Sequence, residues 1–318
     1  MTTTQRAVNP ARRRRPVIAL FGPTGVGKTE LAIALAARLR ALGEDPVAIS
    51  ADAMQVYRGL ETLTAAPTPA ERRQLDHQLV SFVPVTRTFS VGEYMPLAHR
   101  AVDAALESGR TPIVVGGTGL YVRAALCELD LRPAPPPGLR AALEARLAEH
   151  GPEELHRELA ARAPALAARI PPRDRSRIVR ALELLAMGVN PEPVRTGRNR
   201  LWTRETRLPT VLVGVVMARE NLYERIGRRA ERIFARARDE VVAADAAGAS
   251  RTARQAIGFE EVLRGDLEGL KRQSRRLAKA QLTWLRKLPD LATVDVTDLD
   301  AERAAERILA QLRRREHG

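Results

Sequence analysis

The chain has 318 residues, 45% of them hydrophobic and 28% charged, a balance that allows one large domain or a core with an insert and excludes wholesale disorder. Lysine and arginine total 52 against 38 acidic residues, and the net charge of +14 favours a polyanionic partner without naming one. A single cysteine, Cys127, excludes a disulfide framework and a cysteine-rich zinc site, and apolar runs as short as Val211–Ala218 fall far below the roughly 20 residues that span a bilayer.

Residues 1–15 read as a disordered basic tail. Arg6 and Arg12 to Arg15 precede the first acid, Glu30, and no apolar stretch follows them to make a secretory signal. An arginine-rich, acid-poor start also suits a mitochondrial presequence, but the prolines and the lack of an apolar face favour the tail. Pro16–Phe21 predicts a strand that runs into a glycine-rich loop, and Glu30–Leu42 has helical spacing. Val47–Ser50 predicts a second strand, Glu93–Ser108 a helix, and Pro112–Val115 a third strand ending in Gly116-Gly117. Strands alternating with helices imply a parallel α/β sheet.

The stiff linker Arg132–Gly138 opens a different texture. Leu139–Met187 is rich in Ala, Leu, Arg and Glu, with helical periodicity and breaks at Gly151-Pro152 and Pro171-Pro172; Asn190–Asn199 reads as a loop. Pro209–Met217 restores a strand pattern, and Asn221–Arg315 is mostly helical. The expected organisation is a tail over 1–15, a core over 16–125 and 203–318, and a helical insertion domain over 126–202.

Two stretches carry chemistry. Gly22-Pro-Thr-Gly-Val-Gly-Lys28-Thr29 fits G-x-x-x-x-G-K-[ST] at every fixed position and lies between a predicted strand and helix. Its glycines let backbone amides approach phosphate oxygens, Lys28 adds a point charge, and the Thr29 hydroxyl can hold Mg²⁺. ATP is the default occupant, though a pyrophosphate ester presents the same oxygens. Asp52 follows the second strand, where ligands of open α/β sheets bind, and could be a metal ligand, a helix cap or a general base. Near the end, Lys271, Arg272, Arg275, Arg276, Lys279, Arg286 and Lys287 fall in one predicted helix with no acid among them, a footprint for nucleic-acid phosphates.

These motifs and several others occur in one order along the chain. They are Gly22–Thr29, Ser50–Gly59, Phe89–Tyr94, Pro112–Tyr121, Asp174–Glu183, Tyr223–Ile226, Gln255–Glu260, and Arg275 through Arg286. Together they resemble the tRNA dimethylallyltransferases, also called tRNA isopentenyltransferases or IPP transferases. The resemblance implies a P-loop NTPase-like parallel sheet flanked by helices, with a small all-helical insertion domain that grips the anticodon stem. It implies a magnesium-dependent transferase that moves a dimethylallyl group from dimethylallyl diphosphate to the exocyclic N6 amine of the adenine 3′ of the anticodon, releasing pyrophosphate. A cytoplasmic monomer acting on the tRNA anticodon arm, with no membrane, completes that expectation.

Carried over residue by residue, the resemblance makes Asp52 the base, with Lys28, Thr29 and Arg225 in the catalytic set and Arg229 an alternative arginine. Gly22, Pro23, Thr24, Gly25, Val26, Gly27, Lys28 and Thr29 would hold the diphosphate, and Thr29 the metal. Expected tRNA contacts are Asp52, Ala53, Met54, Gln55, Thr118, Arg140, Ser176, Arg177, Ile178, Val179, Arg180, Gln255, Gly258, Lys279, Gln281, Trp284 and Arg286. Tyr57 or Phe259 could stack on an extruded base, although either could equally be core. Three departures stand out: Ala66 replaces the family's usual lysine, Asp76 a histidine, and Ala280 an arginine, so a positive charge is missing at two of them. A small-molecule kinase using ATP at the same loop is the runner-up, and a non-catalytic RNA-binding protein a third reading.

Overall fold

Val17–Phe21 (β1) is five apolar residues in a row, all buried, as expected of a strand covered on both faces. In the computed structural model, which describes residues 16–191, 201, 203–288 and 291–316, seven further strands follow. They are β2 (Pro46–Ser50), β3 (Tyr57–Arg58), β4 (His77–Gln78), β5 (Val83–Pro84), β6 (Thr111–Gly116), β7 (Thr210–Val216) and β8 (Ala292–Asp295). The main sheet is parallel throughout, in the order β4-β2-β6-β1-β7-β8, and β3 and β5 form a small parallel pair. The tail expected over 1–15 and most of the Asn190–Asn199 loop lie outside the described residues.

The parallel α/β sheet flanked by helices is the fold that the alternation predicts, and Pro209–Met217 rejoins it as β7 beside β1. The C-terminal stretch, expected to be mostly helical, also contains β8. Ala292-Thr-Val-Asp is too short to display a period, and its pairing with β7 rather than its own propensity makes it a strand. The two-residue strands β3, β4 and β5 escape sequence reading for the same reason.

Register brings the functional loops together. Phe21 of β1 stands beside Gly116 of β6, and Ser50 of β2 beside Val115, so the loops that leave these three strands emerge at one edge. The Ala51 amide donates to the Val115 carbonyl at 2.8 Å. A Cβ on Gly116 would run into the Ala51 carbonyl oxygen, so glycine there permits the close approach. The helix Lys28–Ala41 is buried through Leu31, Leu35 and Leu39 and is covered by Ala304, Ala305, Ile308 and Leu312 of the helix Ala301–Glu316.

The chain divides into two units, one holding residues up to Leu129 and from Arg200 onward, the other Asp130–Asn199. The smaller unit is helical. Leu139–Arg162 bends at Gly151, whose φ of 79° breaks the helix where Gly-Pro is found in the sequence, and Arg175–Ala186 packs against it. Leu143, Leu147, Leu155, Leu159, Ile178, Val179 and Leu182 form the core of this unit.

Within that core Glu183 is 0% exposed. Arg140 pairs with it, donating from Nη2 at 2.7 Å, and Arg180 Nη1 donates at 2.8 Å. Burial pushes the Glu183 carboxyl up, but the hydrogen bonds and charges of the two arginines outweigh it and hold the group below its ordinary value of 4.5. A carboxyl depressed in the folded state adds stability above its unfolded value and loses that contribution as pH falls through its folded one. Glu183→Gln is therefore expected to lower the melting temperature at pH 7, at a cost of about 2 kcal/mol from lost charge-assisted hydrogen bonds. The variant should also show a shallower loss of stability between pH 5 and 3 than the parent. Melting curves that superimpose at both ends of that range would contradict the assignment.

Candidate functional site

The loop after β1 closes on itself. Gly25 and Gly27 sit at φ 84° and 92°, a region that side chains with a Cβ avoid, and Gly27 caps the helix Lys28–Ala41. The Lys28 ammonium donates to the Gly22 and Pro23 carbonyls at 3.0 and 2.9 Å. Burial pulls Lys28 down from its ordinary 10.5 to about 8; the Asp52 carboxylate opposes that fall and the Arg229 guanidinium adds to it. The Val26 side chain is buried in the core beneath the loop, so only its backbone can face a diphosphate.

Asp52 follows β2. Its Oδ1 accepts the backbone amides of Met54 at 2.8 Å and Gln55 at 3.3 Å, and Oδ2 accepts no hydrogen bond among the described residues. No helix begins here, so the helix-cap reading is corrected: one oxygen closes the turn that precedes β3, which leaves the other for chemistry. Gln55 is fixed nearby: Ser50 Oγ donates to its Oε1 at 3.1 Å, and its Nε2 donates to the Ala65 carbonyl at 3.1 Å.

Lys28, Thr29, Asp52, Met54 and Gln55 line one cavity of about 1000 Å³. The helix Arg219–Arg236 forms another wall with Arg225, Arg228, Arg229, Arg232 and Arg236. Arg225 pairs with Glu30 at 3.3 Å, and a Cβ on Gly27 would lie 3.0 Å from its guanidinium. Arg229 donates to the Thr64 carbonyl at 3.3 Å, and burial pulls its pKa down against the attraction of Asp52. Sequence reading singled out Arg225 and Arg229; the spacing that puts Arg232 and Arg236 on the same face was legible, but the abundance of arginine hid it.

The third wall is the helix Leu267–Lys287. Gln281, 6% exposed, accepts the Thr24 amide at 2.7 Å. This residue, expected to touch tRNA, is bonded to the phosphate loop instead. Gly117 leaves room for its amide group: a Cβ there would lie 2.5 Å from Gln281 Nε2. Trp284 packs on Gly119 in the same way, at the start of the helix Gly119–Leu126, which Thr118 precedes half-buried and without a side-chain cap bond. Thr118 and Ala53 are not among the residues lining the cavity.

Several expected contacts are corrected. Ile178 and Val179 are 0% and 4% exposed in the core of the small unit, so their side chains cannot touch RNA. Arg140 and Arg180 are held by Glu183, and Arg180 donates further to the Arg132 and Pro133 carbonyls. Ser176 and Arg177 remain exposed, the latter paired with Asp174. Gly258 is buried at φ 99°, where a Cβ would collide with Leu63 and Leu270, so its role is structural, whereas Gln255 is exposed. Tyr57 and Phe259 are core residues rather than stacking platforms; the Tyr57 hydroxyl donates to Thr252 Oγ1 at 2.6 Å.

The basic helix is less unbalanced than its sequence. Lys271 pairs with Glu231 at 2.9 Å and Glu268 at 3.0 Å, and Arg272 with Asp266. Arg275 lies over the Tyr223 ring. Arg276, Lys279 and Arg286 remain exposed.

No group of three or more His, Cys, Asp or Glu side chains among the described residues could cage a metal. Thr29 and Asp52 on one wall fit an ion of the Mg²⁺ type, which uses one or two protein oxygens together with the phosphates of its ligand.

A model of the IPP transferase family matches residues 55–288, and one of isopentenyl transferases matches 15–87. The tRNA dimethylallyltransferase of Thermobifida fusca is 42% identical over 285 residues, 86% of this chain and 88% of the relative. That of Thermomicrobium roseum is 40% identical over 301 residues, covering 90% and 88%. The crystal structure of a full-length tRNA isopentenylpyrophosphate transferase from Bacillus halodurans superposes with a TM-score of 0.66 at 32% identity, covering 96% of this chain and all of that one. A eukaryotic dimethylallyltransferase acting on tRNA shares the fold at a TM-score of 0.73 and 22% identity, covering 93% and 80%.

The position of Lys28 has a measurable consequence. A cation with a pKa near 8 holds anions below that pH and releases them above it. Pyrophosphate affinity, measured by calorimetry from pH 6.5 to 9.5, should weaken as pH rises through about 8. The Lys28→Arg variant stays charged throughout, so the ratio of the two affinities cancels the titration of the ligand itself. A ratio that is flat with pH would show that Lys28 keeps its ordinary pKa.

Proposed function

The chain belongs to the IPP transferase family, and from that membership we propose that it transfers a dimethylallyl group from dimethylallyl diphosphate to N6 of the adenine 3′ of the anticodon in tRNA. The observation that carries the reading is the placement of Asp52, Lys28 and Arg229 around one cavity beside the phosphate loop. An exocyclic adenine amine is a weak nucleophile because its lone pair is delocalised. As N6 forms a bond to C1 of the donor, the C1–O bond breaks, the electron pair leaves with pyrophosphate, and N6 gives up a proton.

Each residue has a part in that balance. Asp52, with one oxygen anchored on the Met54 and Gln55 amides, offers the other to the N6 proton. The amides of Gly25–Thr29 and the Lys28 ammonium face the charge that gathers on the leaving oxygens. Arg225, set over Gly27, adds a second cation, and Arg229 balances Asp52 from the opposite side. Thr29 would hold Mg²⁺, which supplies further charge neutralisation on the diphosphate. Met54 and Gln55, in the cavity lining, would read the extruded adenine, and the resemblance assigns further tRNA contacts to Ala53, Thr118, Lys279, Trp284 and Arg286. The Ala66, Asp76 and Ala280 departures leave this set untouched. Asp76 is paired with Arg110 at 2.9 Å, remote in role from the loop.

Among the described residues no helix is long and apolar enough to cross a membrane. The reading includes a monomer acting in the cytoplasm, supported by the choice of tRNA as substrate. The ATP-dependent kinase, open on the phosphate loop by itself, is not favoured by relatives that are named tRNA dimethylallyltransferases.

Incubation with dimethylallyl diphosphate and an unmodified tRNA bearing adenine beside the anticodon should release pyrophosphate and add a five-carbon group to that adenine. ATP turnover on a metabolite, with no such product, would defeat the reading. Asp52→Ala should lower kcat by about 10²–10⁴, the range for a lost general base, while tRNA affinity changes less than about twofold. Unchanged turnover would remove Asp52 as the base.

A further inference from the structure

Arg225, Arg229, Arg232 and Arg236 recur at spacings of four, three and four residues on the helix Arg219–Arg236, which puts them on one face, and all four line the cavity. Two of them are committed. Arg225 pairs with Glu30 above the phosphate loop, and Arg229 is buried against the Thr64 carbonyl and the charge of Asp52. Arg232 and Arg236 are exposed, and among the described residues neither makes a hydrogen bond or an ion pair. Arg232 instead pushes down the pKa of Arg229 by like-charge repulsion.

The acids near them form no ion pair with them among the described residues. Glu61 and Glu71 also line the cavity, but Glu61 accepts the Gly59 amide at 2.9 Å and Glu71 accepts the Thr68 amide and hydroxyl at 2.7 Å. Glu240 accepts the Thr62 amide at 2.9 Å. Arg72, on the same wall, adds another cation. Position 66, where the resemblance anticipates a lysine, is the buried Ala66 in this lining. Seven cations line the cavity against four carboxylates, and the excess positive field is one that an anion would satisfy.

We propose that Arg232 and Arg236 form a second phosphate subsite, which takes a backbone phosphodiester of the RNA strand while the phosphate loop takes the diphosphate of the donor. The inference rests on the tRNA-modifying reading. Helix geometry separates the two subsites: at 1.5 Å per residue, Arg232 lies about 10 Å and Arg236 about 16 Å along the axis from Arg225. A diphosphate seated on the Gly25–Thr29 amides under Arg225 does not extend that far. A polynucleotide carries a phosphate at every residue, so the strand that presents the adenine to Asp52 also presents phosphates to the next turns of the helix. Arg232 and Arg236 thereby restore, from the helix, the positive charge that the Thr62–Pro67 loop lacks.

The test is Arg232→Ala/Arg236→Ala in the full chain, with Arg232→Lys/Arg236→Lys as the charge-conserving partner and exposed Arg303→Ala as a surface control. Binding of a labelled anticodon stem–loop and of inorganic pyrophosphate is measured directly, beside steady-state kinetics. The double alanine variant should weaken stem–loop binding about tenfold and flatten the log–log salt dependence by about 0.7–0.9, the loss of one phosphate contact. Pyrophosphate affinity, donor KM and kcat at saturating tRNA should stay within about twofold, the lysine pair should recover most of the stem–loop affinity, and Arg303→Ala should match the parent. Weakened pyrophosphate binding with unchanged stem–loop affinity would assign the subsite to free phosphate compounds and overturn the proposal, as would variants indistinguishable from the parent. Failure of the parent protein to prenylate tRNA would sink the functional reading itself, an outcome separate from the binding arms.

Discussion

The structure around the cavity depends on one half-buried cation. Lys28 is partly withdrawn from water and held on two carbonyl oxygens of its own loop, within the fields of Asp52 and Arg229. Desolvating an ammonium is costly unless acceptors and a counter-charge surround it. The Gly22 and Pro23 carbonyls must therefore stay turned toward it, while Gly25 and Gly27 supply the left-handed angles of the loop. Asp52 must also stay close, which fixes the relation of the β2 loop to the β1 loop. A group that stabilises the resting loop is in this way also the group that meets an incoming diphosphate.

Close packing transmits that constraint to the rest of the core. Gly116 lets the β2 loop approach β6, Gly117 admits the Gln281 amide, and Gly119 receives the Trp284 ring. Gln281 is the notable case, because it satisfies the Thr24 amide from a helix more than 250 residues away in sequence. The helix that carries Arg276, Lys279 and Arg286 is thus hydrogen-bonded to the loop that carries Lys28. An RNA resting on one face of this helix and a donor resting on the loop would share a rigid strut.

The phosphate loop, its strand and helix, and the position of Asp52 were legible in the sequence because local spacing determines them. Strands β1, β2, β6 and β7 were legible for the same reason, being continuous apolar runs. What escaped is what depends on tertiary partners. β8 exists through its pairing with β7. Gln281 is polar on a basic helix, and nothing local distinguishes an RNA contact from a bond to a distant amide. Ile178 and Val179 lie within a motif whose residues share a function only as a unit: the motif's helix packs through these two, and its Arg180 reaches Glu183.

Charge counting misled for a related physical reason. Lysines and arginines of this chain differ less in sequence than in what they face. Lys271 and Arg272 belong to a run without acids, yet Glu231, Glu268 and Asp266 from outside the run neutralise them. Arg140 and Arg180 match tRNA-contacting stretches of the family, yet a carboxylate with no exposed surface binds both. Arg232 and Arg236, on a helix that also carries Glu220, Glu224 and Glu231, make no ion pair among the described residues. An ion pair inside the protein satisfies a cation before any ligand arrives, whereas an unpaired guanidinium over a polar cavity keeps its field for a ligand. The number of charges in a segment therefore locates an anion site less well than the number left without an internal partner, and by that measure the cavity wall, more than the start of the basic helix, keeps cations free for an anion.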